Sequence, residues 1–198
     1  VLFPGVVIPI TAGRDKSITL INDANNGSKT IGVVSQKDGE VENPEAKDIN
    51  KVGVVAKILR VLKMPDGNTT VIIQGKKRFQ IEEILQEDPY LKASISSIKE
   101  EKPAKDNEEF SAIVDSVKDL SLQIIKDSPS IPSEASFAIK NIESPSFLIN
   151  FVSSNMSLSV KEKQELLEMN DLRNRALATL KYMNTEFQKL ELRNDIQS

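Results

Sequence analysis

Glycine is confined to one end of this chain: all eight glycines (Gly5, Gly13, Gly27, Gly32, Gly39, Gly53, Gly67, Gly75) precede residue 76. Glycine serves turns and bulges and costs a helix interior roughly 1 kcal/mol relative to alanine. The distribution predicts a β-rich first half and a helical second half, an α+β chain. With 198 residues, 39% of them hydrophobic, there is core enough for one large domain or two small ones. The charged, proline-containing stretch from Glu100 to Asn107 reads as the bridge. We place a β-rich lobe at 1–102 and a helical lobe at 103–198.

The first half holds strand-like runs at Val6–Ile10, Thr30–Ser35, Gly53–Met64, Thr69–Gly75, Arg78–Leu85 and Leu91–Ile98. Pro65-Asp66-Gly67-Asn68 joins two of them in a hairpin, because Pro fixes φ on entry and Asp-Gly accepts positive φ. One helix interrupts the strands: Ile18, Ile21 and Ala24 recur at helical spacing between Asp15 and Asn25. Gly27 stands where such a helix would end in positive φ.

After the bridge the apolar period becomes 3.6. Phe110, Ile113, Val114, Val117, Leu120, Ile124 and Ile125 share one face of a long helix that stops before Pro129. Ser144-Pro145 opens a second helix, and Ser159 with Glu162 forms a capping box for a third. From Asp171 a last helix carries Leu172, Ala176, Leu180, Met183, Phe187 and Leu190 and meets no stop signal before Ser198. These helices are expected to form a small bundle whose last member continues as a long exit helix.

Composition removes whole classes of chemistry. The chain has no histidine and no cysteine, so Ser-His-Asp and Cys-His mechanisms, thiolate ligands and disulfides are excluded, and a zinc site is not expected. The net charge of -3 gives no overall basic field for nucleic acid. Gly27-Ser28-Lys29-Thr30-Ile31-Gly32 has two phosphate-loop glycines, but Val33 and Val34 stand where Lys and Ser or Thr are needed. The acidic pairs Glu82-Glu83, Glu100-Glu101 and Glu108-Glu109 read as solvated charge, and Lys76-Lys77-Arg78 beside Phe79 as the exposed end of a strand. We therefore expect no catalytic residue, no cofactor and no metal in this chain. No apolar run approaches the roughly 20 residues of a membrane span, and the start lacks a charged leader, so a cytoplasmic location is expected.

What remains is apolar surface. Pro4, Pro9, Met64 and Pro65 fall at strand ends and turns, and flexible, polarizable Met suits the gripping of variable apolar sequences. Ordinary turn chemistry with one gap-filling Met is the plainer alternative.

Several strings, in order, resemble the N-terminal domain of ATP-dependent Lon proteases. They are Phe3-Pro4-Gly5 with Ile8-Pro9-Ile10, Gly13-Arg14-Asp15-Lys16-Ser17, and Val52-Gly53-Val54-Val55-Ala56-Lys57-Ile58-Leu59. Leu62-Lys63-Met64-Pro65-Asp66-Gly67 is the strongest, followed by Val71-Ile72-Ile73-Gln74-Gly75 and Arg78. In the helical half, Met156-Ser157-Leu158 and Lys163-Gln164-Glu165-Leu166-Leu167-Glu168 are also similar. The resemblance implies a PUA-like β lobe, a helical lobe and an exit helix leading to ATPase and protease modules. It further implies capture of unfolded or damaged proteins, support of a hexamer, and ATP with Mg and a serine-lysine dyad in the parent protein only. A structural oligomerisation module, a free-standing adaptor and an RNA-binding PUA-like domain are the rival readings.

Overall fold

The computed structural model describes residues 1–197, which divide into two compact units, one from Val1 to Lys99 and a second from Glu100 onward. The first contains β1 (Val7–Ala12), α1 (Asp15–Asn25), β2 (Thr30–Val33), β3 (Val52–Lys63), β4 (Thr69–Gln86) and β5 (Lys92–Ser97). All pairings are antiparallel; the sheet runs β1-β4-β3-β2, and β5 also pairs with β4. One face is dry: Val54, Ala56, Ile58, Val71 and Ile73 are buried along the two central strands.

The predicted hairpin forms between β3 and β4. The Met64 amide donates to the Asn68 carbonyl at 2.9 Å, and Gly67 adopts φ 90, which a side chain would resist. Two runs separated in the sequence reading, at Thr69–Gly75 and Arg78–Leu85, are one strand, β4. A bulge opposite Val55 and Ala56 absorbs the extra residue and turns both Lys76 and Lys77 to solvent, so the charges mark a kink within the strand. The end of α1 also differs from expectation: positive φ falls at Lys29 (φ 60), while Asn26 caps the helix in the right-handed region.

The second unit holds α2 (Glu108–Asp127), α3 (Glu134–Lys140), α4 (Pro145–Asn155), α5 (Val160–Glu168) and α6 (Leu172–Gln197). The expected continuation through Ser198 lies, at that last position, outside the described residues. Val117, Ile139, Leu148, Val152, Met156 and Met183 form one apolar cluster. Phe110, Ile113, Ile149, Leu172 and Ala176 form another. Ser144 caps α4 by accepting from the Phe147 amide at 3.2 Å, as its place before Pro145 foretold. Asn107, taken from sequence as the end of the bridge, is the cap of α2, accepting from the Phe110 amide at 2.8 Å. No helix among the described residues is long and apolar enough to cross a membrane.

The capping box of α5 yields a pH prediction. Ser159 Oγ accepts from the Glu162 amide at 3.1 Å, and the Glu162 carboxylate accepts from the Ser159 amide at 3.0 Å. That bond favours the charged form and holds the Glu162 carboxyl below its usual 4.5. A carboxyl lowered on folding stabilises the native state above its unfolded pKa and loses that contribution as pH falls through the folded value. Thermal unfolding from about pH 6 down to about pH 3 should therefore show a larger drop in wild type than in Glu162→Ala; parallel curves would exclude the effect.

Candidate functional site

Strand registers define a second, wetter face on the same sheet. Side chains directly opposite one another in paired strands emerge on one side, and residues two apart return to it. Val7 opposes Gln74, and Gln74 opposes Lys57; Pro9 opposes Ile72, and Ile72 opposes Arg60; Thr11 opposes Thr70, and Thr70 opposes Leu62. Three rows thus cross β1, β4 and β3 on the side opposite Ile8, Ile58 and Ile73. Val7 is 49% exposed, and Pro9 is exposed too; Ile72 and Leu62 are half-buried.

Two further apolar side chains extend this face. The β3 bulge between Ile58 and Arg60 leaves Leu59 without a cross-strand partner, and it stands 48% exposed. Met64, 44% exposed, enters the hairpin just beyond Leu62, and Pro65 is exposed beside it. The end of β1 comes up to the same turn, since a Cβ on Gly13 would sit 2.9 Å from Asn68 Oδ1.

The residues expected from sequence therefore separate. Pro9, Met64 and Pro65 belong to this face and its rim. Pro4 is half-buried at the opposite end, where the Gly5 amide donates to the Gly75 carbonyl at 2.9 Å. Gly75 lies six positions along β4 from Thr69, roughly 20 Å from the hairpin. Sequence reasoning missed Val7, Leu59, Leu62 and Ile72. A signal was present for two of them: Val7-Ile8-Pro9-Ile10 and Val71-Ile72-Ile73 have no polar alternation, which in an antiparallel sheet means apolar residues on both sides.

The helical lobe offers clefts of about 350 and 430 Å³ that share Val114, Asp115, Ser144 and Pro145. Asp115, Lys118, Lys140 and Glu143 line the first, and Lys102, Lys105 and Asp115 the second. The exposed sheet face is the stronger candidate.

Comparison with known proteins agrees with a binding module. The profile of the ATP-dependent protease La (LON) substrate-binding domain matches residues 1–185. The chain belongs to this family. A Lon protease of Flavobacterium johnsoniae is 71% identical over 198 residues, taking in all of this chain and 24% of that protein. One from Cytophaga hutchinsonii is 48% identical over the same length, again 24% of the relative. The chain thus spans about a quarter of the length of the curated relatives it matches. Among solved structures, the N-terminal domain of a Mycobacterium avium complex Lon protease aligns with a TM-score of 0.74 over 93% of this chain and 92% of that one. Its identity is 22%, so the likeness speaks for the α+β fold alone.

Proposed function

We propose that this chain is the substrate-capturing part of a cytoplasmic ATP-dependent serine protease, and that it holds unfolded or damaged proteins on the solvent face of β1, β4 and β3. The observation that carries the reading is the concentration of exposed apolar side chains there. Val7, Pro9 and Leu59 are presented on the sheet and Met64 at its hairpin, the form of surface that binds segments normally buried in a folded client. Each contact is weak, and copies of the domain in an assembled hexamer would add them together. Support of that hexamer by the helical lobe belongs to the same proposal, as do ATP and Mg in modules beyond this chain. The PUA-like description of the sheet lobe and the bundle description of the helices are part of it too. The antiparallel sheet and the α2–α6 packing support them.

The test is titration of a fluorescently labelled, permanently unfolded polypeptide with the 198-residue chain. Met64→Ser removes an apolar side chain worth about 1.5 kcal/mol when fully covered; since 44% of it is exposed, a client can newly cover under half of that, and affinity should fall about three-fold. Unchanged affinity would remove Met64 from the site. Unchanged affinity after joint replacement of Val7, Leu59 and Met64 by Ser would remove the face.

A further inference from the structure

We infer that this face selects apolar segments flanked by acidic residues, an inference that rests on the capture reading and names the class of client. The chain as a whole is acidic, at -3, yet the three rows carry only positive charge. Lys57 emerges in the row of Val7 and Gln74, and Arg60 in the row of Pro9 and Ile72. Lys76 adds a third cation, its Nζ donating to Gln74 Oε1 at 3.0 Å. Segments 7–12, 57–63 and 69–74, which supply the rows, contain no Asp or Glu. At the rim, the Asp66 carboxylate already accepts from the Asn68 amide at 3.0 Å and from its side chain at 3.2 Å.

Lys57 and Arg60 are exposed and, among the described residues, enter no ion pair. Successive rows lie about 7 Å apart. That is within the roughly 8–10 Å over which charge is felt at ordinary salt. An extended segment laying apolar side chains on Val7, Leu59 and Met64 would bring its flanking residues within reach of these cations. Flanking carboxylates gain there, and flanking lysines are repelled. The rows offer no aromatic ring on which a base could stack, which favours a protein ligand over nucleic acid.

The experiment uses the 198-residue chain and two labelled peptides with one apolar core, flanked by Glu in one and by Lys in the other, read by fluorescence anisotropy. At about 50 mM salt the Glu-flanked peptide should bind about ten-fold more tightly, and the ratio should approach one at about 500 mM. Lys57→Glu with Arg60→Glu should invert the preference. Lys57→Gln with Arg60→Gln should largely erase it, and decides the matter if the charge-reversed protein fails to fold. Equal binding of both peptides at low salt, or a preference that survives the Gln pair, overturns the inference and leaves capture standing. If neither peptide binds, capture and charge selection fall together. A single-stranded oligonucleotide that displaces the Glu-flanked peptide and binds more tightly than it does would overturn the protein-ligand assignment.

Discussion

Gly75→Ala is expected to cost the sheet lobe about 3 kcal/mol or more and to weaken client binding along with it. A Cβ at this position would lie 2.4 Å from the Phe3 carbonyl oxygen, a backbone atom that cannot swing away. Gly75 also donates to the Val6 carbonyl and accepts from the Gly5 amide, so its β4 backbone is the seat for the segment leading into β1. Relief of the clash requires Leu2–Val6 to lift, and Phe3, fully buried, loses its site. Loss of a buried Phe side chain typically costs 3–5 kcal/mol. Because β1 brings Val7 and Pro9 to the exposed face, the same displacement should reduce affinity for an unfolded polypeptide. Urea unfolding followed by far-UV circular dichroism measures the first effect, and anisotropy the second. Gly39→Ala, where nothing lies within 4 Å of the added carbon, is the control and should stay within about 0.5 kcal/mol of wild type. If Gly75→Ala matches that control, the close approach is not a constraint.

The second large effect concerns the helical lobe. Arg175 of α6 is almost wholly buried and donates to the Glu100 carboxylate, whose side chain keeps 21% of its exposure. The following residue is tied in as well: the Glu101 amide donates to the Asn170 carbonyl at 2.8 Å, and the Leu172 amide to the Glu101 carbonyl at 2.9 Å. Glu100→Ala removes the carboxylate to which the buried guanidinium donates and should cost about 3 kcal/mol. Adding Arg175→Met should recover most of the loss, since a buried ion pair replaced by apolar atoms is often neutral. A double variant as unstable as Glu100→Ala would show that Arg175 matters through its other contacts rather than through its charge.

Local signals were legible in the sequence where one short segment decides the structure. The hairpin at Pro65–Asn68, the cap at Ser144 and the box of Ser159 with Glu162 depend on neighbours within four residues, and each forms as its chemistry dictates. The order of β before α followed from where glycine is tolerated. Helix α3 was not legible. Within its seven residues only Ile139 is buried and Phe137 is 73% exposed, so no apolar period exists to be found. Of the candidate face, only single residues were legible, and Pro4, expected with them, lies at the other end of the sheet. Met64 and Pro9 stand out through residue type and position. That Val7 and Pro9 meet Ile72 depends on the register of β1 against β4, strands more than 50 residues apart in sequence, and Leu59 joins through a bulge no local pattern announces.

Pro9 gives the proposed mode of capture a particular character. It sits in the middle of β1, the strand at the sheet's margin, and has no N–H to offer a newcomer. A stretched chain arriving at that margin cannot complete a hydrogen-bonded ladder, the arrangement through which open sheets recruit strands irreversibly and seed aggregates. In the proposed capture, a client at this margin would be gripped by its side chains rather than knitted to β1 through its backbone. Such a hold has no fixed register, so the client can slip along it and be drawn away without a ladder having to be unzipped first.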